Sequence, residues 1–151
     1  MDKNGILIVL SGSDKTEFGK HNFSTRSIPQ KVFSSIWAVE SEVNNGGFSQ
    51  YFFNNSCETA GFVAEALETI GAPRTADLCR RAIATAFPDG LPSNSEAIRS
   101  AASDFSDEIE DSLNALDGEF YQYPHDLTKL LFAYVSAHPE EFGELPKPDD
   151  A

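Results

Sequence analysis

Positive charge is what this sequence has least of. Only 11 Lys and Arg stand against 24 Asp and Glu, a formal net charge of -13 over 151 residues. A chain that grips phosphates needs the opposite balance, so direct nucleic-acid binding is excluded as an expectation. Cysteine is nearly absent too. Cys57 and Cys79 are the only two, with no CxxC spacing. That excludes a disulfide scaffold and points to a reduced, cytoplasmic protein. The three histidines, His21, His125 and His138, never fall at ligand spacing and no HExxH occurs, so no metal is expected. No GxSxG, P-loop or GxGxxG is present, so neither a cofactor nor enzyme activity is expected. Long apolar runs are missing. The one early run, residues 6–10, is too short for a signal h-region or a membrane span.

What is present is a core. The residues are 40% hydrophobic, and twelve of them are Phe. That is enough apolar material for one ordinary domain. Residues 1–26 show no helical period. Ile6, Leu7, Ile8, Val9 and Leu10 read as a short strand, and Gly12, Ser13, Asp14 and Gly19 as a loop after it.

From Ser27 the period is helical. Pro29 suits a first turn, and Val32, Phe33, Ile36, Trp37, Val39 and Val43 share one face. Asn44-Asn45-Gly46-Gly47 reads as a stop, since Asn and Gly tolerate the left-handed backbone that ends helices. Further helices are expected over about 56–70, from Pro73 to Phe87, from a capping box at Ser93 and Glu96 to about 116 as one helix or two collinear ones, and from an Asp126 cap to Val135, with Pro139 as terminator. The expected fold is all-α, a compact irregular bundle of five to six helices with a short N-terminal strand. Its parts are an extension over 1–26, a helical domain over 27–145 and a frayed acidic tail over 146–151. Phe33, Ile36, Trp37, Phe62, Leu67, Leu78, Ile83, Phe105, Ile109, Leu113, Leu131 and Tyr134 are expected inside.

Two local features bear on function. Residues 40–51 gather carboxylates, amides and a phenol around a helix end. They form either a polar pocket or a helix stop that docks Phe48, Tyr51 and Phe52 into the core, with Gly46 or Gly47 in a backbone conformation open mainly to glycine. The second feature is acidic. Between Arg99 and Lys129 there is no Lys or Arg, while Asp104, Asp107, Glu108, Glu110, Asp111, Asp117, Glu119 and Asp126 fall there. Asp104, Asp107, Glu108 and Asp111 have the i, i+3, i+4, i+7 spacing of one helix face. At about 1.5 Å rise per residue such a stripe covers roughly 10.5 Å, about one charge per 3.5 Å, close to the ~3.4 Å per charge along one DNA strand. The alternative is an ordinary solvated face.

The string Glu42-Val43-Asn44-Asn45-Gly46-Gly47-Phe48-Ser49-Gln50-Tyr51-Phe52 resembles the signature of the bacterial DNA-mimic protein 19-like family. Weaker echoes lie at residues 66–72, 82–87 and 134–142, and at Leu116-Asp117 with Phe120-Tyr121, so that the likeness spans about residues 28–142. The resemblance implies an all-helical fold. It also implies the activity of the family's named member, which imitates DNA in shape and charge and occupies the DNA-binding surface of a transcription regulator. The signature residues Glu42, Asn44, Asn45, Gly46, Gly47, Phe48, Gln50 and Tyr51 are read as structural. The partner-binding set, Asp104, Asp107, Glu108, Asp111, Asp117 and Glu119, comes from the charge pattern of this sequence alone. The expected function is an acidic protein-binding module, with a basic, DNA-binding protein as partner and neither nucleic acid nor membrane as direct ligand. A homodimer stays open. Two alternatives remain: an immunity or antitoxin-like protein that neutralises a basic toxin, and a small-ligand binder or enzyme using the polar residues 40–51.

Overall fold

The computed structural model describes residues 1–14, 16 and 22–150. Among these lie eight α-helices and no strand: α1 (Lys3–Ser11), α2 (Ile28–Phe53), α3 (Val63–Thr69), α4 (Pro73–Ala86), α5 (Ser95–Ser103), α6 (Asp107–Phe120), α7 (Leu127–Ser136) and α8 (Pro139–Phe142). Short 3₁₀ turns cover Phe23–Thr25 and Asn55–Thr59. Gly19 of the expected loop and His21 lie outside the described residues.

The expected N-terminal strand is a helix. Asp2 caps α1 by accepting the Gly5 amide at 2.7 Å. Ile6, Leu7 and Leu10, at i, i+1 and i+4, are buried while Ile8 and Val9 stay exposed. A short apolar run does not separate strand from helix by itself. The helix prevails because no strand among the described residues could satisfy an extended backbone, whereas a helix pairs its own N–H and C=O groups. The buried side of α1 packs on α7. The acidic tail turns back to the same end, where Asp149 accepts from the Met1 ammonium at 2.8 Å and Asp150 from the Lys3 amide at 3.0 Å.

The centre of the bundle is α2. Ser27 caps it, Pro29 sits in its first turn, and Val32, Phe33, Ile36, Val39 and Val43 are buried. The elements α3, α5, α6, α7, α8 and the Asn55–Thr59 turn pack around it. The aromatic residues knit these layers. Phe48 meets Phe120 edge-on at 5.9 Å, and Phe52 meets Phe87 at 5.1 Å. Of the residues expected inside, Phe33, Ile36, Leu67, Leu78, Leu113 and Leu131 are buried, while Trp37, Phe62, Ile83, Phe105, Ile109 and Tyr134 pack half-buried against the core.

Several expected boundaries move. Helix does not run from 56 to 70. The Thr59 hydroxyl, bonded to the Ser56 carbonyl and the Tyr51 hydroxyl, holds a 3₁₀ turn, and α3 begins only at Val63. Asn94, not Ser93, caps α5, accepting from the Ala97 amide at 2.8 Å. The segment from 95 to 120 is two helices, because Ser106 caps a new one by accepting from the Ile109 amide at 3.2 Å. Pro139 does not only end α7; it occupies the first turn of α8. No helix among the described residues is long and apolar enough to cross a membrane.

Candidate functional site

The expected stop at Asn44-Asn45-Gly46-Gly47 is a kink. The chain breaks helical geometry at Gly46 and Gly47, then resumes as a helix to Phe53. Gly47 has φ 79° and ψ -178°, a region closed to residues with a side chain. A kink frees backbone amides that would otherwise be bonded within the helix. The Phe48 amide donates to Asp117 Oδ1 of α6 at 2.8 Å, so a carboxylate from another element caps the second half of α2. The same carboxylate lies where a Cβ on Gly47 would stand. Glycine is therefore required twice, by the backbone and by the close approach.

Other signature residues close the network. Glu42 Oε2 accepts from Gln50 Nε2 at 2.7 Å and from Asn54 Nδ2 at 2.9 Å, bridging the two halves of α2. Asn44 Nδ2 donates to the Tyr123 hydroxyl at 2.7 Å, which donates onward to Glu40 Oε1 at 2.9 Å. Tyr121 donates to the Val43 carbonyl at 2.7 Å, Ser49 to Glu110, and Tyr51 is paired with Thr59. Gly47, Phe48 and Tyr51 are buried, Glu42 and Gln50 half-buried, and Asn44, Asn45 and Gly46 exposed. Burial raises the pKa of Glu40, with the Tyr123 hydrogen bond opposing it, and raises that of Asp117, with the Phe48 amide opposing it. Burial also pushes the Tyr123 phenol up to about 12. These groups are occupied in holding the kink against α6 and the turn after it.

The acidic face is split by the same structure. Asp104 is the residue after α5, while Asp107, Glu108 and Asp111 lie on α6. The four therefore do not share one helix, and the 10.5 Å stripe does not exist as a single rod. All four are exposed, and none makes an ion pair among the described residues. Asp107, Glu108 and Glu110 sit in the first turn of α6, where the helix dipole welcomes carboxylates. Asp104 sits at the C-terminal end of α5, where the dipole opposes a negative charge.

Two members of the expected partner-binding set stand elsewhere. Asp117 is buried, 8% exposed, as the cap of the α2 kink. Its position, one after Leu116 and four after Leu113, already puts it on the inward face of α6. Glu119 accepts a two-pronged pair from Arg81 of α4, at 3.0 and 2.8 Å. Its contact ties α4 to α6, an arrangement that sequence separation hides.

A family model for DMP19-like proteins matches residues 25–138. The chain belongs to the DMP19-like protein family. The match takes in the kink, α5 and α6, and leaves α1 and α8 outside the DMP19-like region. No curated protein and no solved structure matches the chain.

Proposed function

We propose that this DMP19-like chain is an acidic protein-binding module whose surface at Asp104, Asp107, Glu108 and Asp111 occupies the DNA-binding face of a basic protein. One observation carries the reading: these carboxylates are exposed and have no cationic partner among the described residues, and Asp104 stands where its own helix end disfavours it. Such a charge needs no structural explanation at the start of α6, but it has none at the end of α5. A surface of one sign speeds association with an opposite surface, and the effect fades as salt rises. The family likeness supports the choice of a DNA-binding partner. Binding, not catalysis, is the reading that fits the polar groups of residues 40–51, most of which hold the kink, and the buried Cys79, whose thiol burial pushes up to about 12. The two free, buried cysteines fit a reducing cytoplasm.

The test is capture from the native cell at low salt, with elution by rising salt, using the parent and an Asp104→Lys, Asp111→Lys variant. These two positions avoid the first turn of α6, so the reversal spares its helix dipole. The expected result is a basic DNA-binding protein that the parent retains and the variant loses. Equal retention by both proteins sinks the assignment of this surface.

A further inference from the structure

A groove of about 1290 Å³ runs between α2, the Asn55–Thr59 turn and α5. Two aromatic rings stand in its wall. Trp37 stacks one face on Phe33 at 5.6 Å and borders both this groove and a smaller hollow against α1, and Phe53 is 54% exposed at the end of α2. Aromatic walls with a few placed polar groups are the usual lining of a concave binding site. Three carboxylates line the same groove, Glu42, Glu58 and Glu96, against one cation, Arg99. Arg99 is engaged within the groove wall, its Nη1 donating to Oδ1 of Asn55, another lining residue, at 2.8 Å. Glu42 is held in place through Oε2 by Gln50 and Asn54, and its Oε1 has no partner among the described residues. Burial in the groove wall raises the Glu58 pKa, with Arg26 opposing.

We infer that this groove is a second docking site, which takes an arginine side chain of a partner protein between its aromatic rings and its carboxylates. A guanidinium is the group that satisfies both walls. Its flat face stacks on indole or phenyl, and its edge donors reach carboxylate oxygens in a fork. A neutral apolar segment would leave three carboxylates desolvated, and an anion would meet them as like charge. The groove and the acidic face share α5, but none of Asp104, Asp107, Glu108 and Asp111 lines the groove, so the two sites have separate carboxylates.

Trp37 is the only tryptophan and lines the groove, so its emission responds to an occupant there; because it also borders a smaller hollow against Leu7 and Ile8 of α1, the groove variants below assign the response. The probe is a capped oligoarginine peptide at low salt, with capped oligoglutamate as control. The expected result is a saturable change in Trp37 emission with the first and none with the second. A Glu58→Gln, Glu96→Gln variant, and separately Phe53→Ser, should weaken the response about tenfold, while Asp104→Lys, Asp111→Lys should leave it within about threefold. No emission change, or an unchanged response in both groove variants, overturns the groove. Loss of the response in the Asp104→Lys, Asp111→Lys variant alone places the peptide on the α5–α6 face and also overturns it. The two proposals separate because partner capture by the acidic face reads on Asp104 and Asp111, and the peptide response reads on Phe53, Glu58 and Glu96.

Discussion

The kink of α2 and the acidic face of α5–α6 are both rich in polar groups, and they use them in opposite ways. At the kink, Glu42, Asn44, Ser49, Tyr51 and the Phe48 amide each have a protein partner, and Asp117 is buried to serve one of them. On the acidic face, Asp104, Asp107, Glu108 and Asp111 face solvent without an ion pair among the described residues. The most distinctive stretch of the sequence is thus the most internally committed, and the plainer acidic stretch is the one left free to meet a partner. Distinctive local sequence here marks first a backbone requirement, although Glu42 still turns one carboxylate oxygen toward the groove.

The comparison breaks most sharply at Gly47. An Ala there meets both a forbidden backbone region and the Asp117 carboxylate, so Gly47→Ala should cost about 3–5 kcal/mol in urea denaturation. Adding Asp117→Ala should recover part of that loss, because it removes the clash; a cost unchanged by the second substitution would separate the two. Next comes Asp117→Ala alone. It orphans the buried Phe48 amide and should cost about 1–3 kcal/mol, while Asp117→Asn, which keeps an acceptor oxygen, should cost less.

Titration sharpens the same contrast. Glu40, Glu58 and Asp117 all have raised pKa values, first through burial, so the folded chain binds their protons more tightly than the unfolded chain does. The unfolded state then binds fewer protons, and stability falls as pH rises through this window. Protonation of these groups strengthens the fold, and the relief of the net charge of -13 as pH falls acts in the same direction. Glu119, lowered by Arg81, acts the other way but is solvent-exposed and screened. The melting temperature should therefore rise as pH is lowered from neutrality toward the ordinary carboxylate range of about 4, and less so in Asp117→Asn. A flat or falling profile would deny that these carboxylates are strained when charged. The smallest expected effect lies on the acidic face. Asp104→Lys with Asp111→Lys should change stability by no more than about 0.5 kcal/mol, although it removes binding.

Much of the bundle is legible from spacing. The apolar period places Phe33, Ile36, Leu67, Leu78, Leu113 and Leu131 inside, and Pro73 and Asp126 open α4 and α7. The same period carries past the break between α5 and α6, because Ile98, Ala102, Phe105 and Ile109 keep an inward face on both sides of it. The overlooked signal is Ser106 followed by three acids in one turn, which is a helix start. Missing that start turned two helix ends into one apparent stripe. Asp117 shows a second limit. Its charge suggests the surface, while its position between Leu116 and Phe120 puts it inside.

By itself the sequence determined the helical class, the inward faces, the requirement for glycine near residues 46–47 and the excess of negative charge, since all of these are local or additive properties of the chain. Tertiary structure alone decided that residues 3–11 form a docked helix, that Asp117 is a cap and not a surface charge, that Glu119 belongs to Arg81, and that α2 and α5 enclose a groove. Each of those depends on a partner supplied from tens of residues away. A side chain's fate as buried cap, paired ion or free charge is set by what the fold places opposite it.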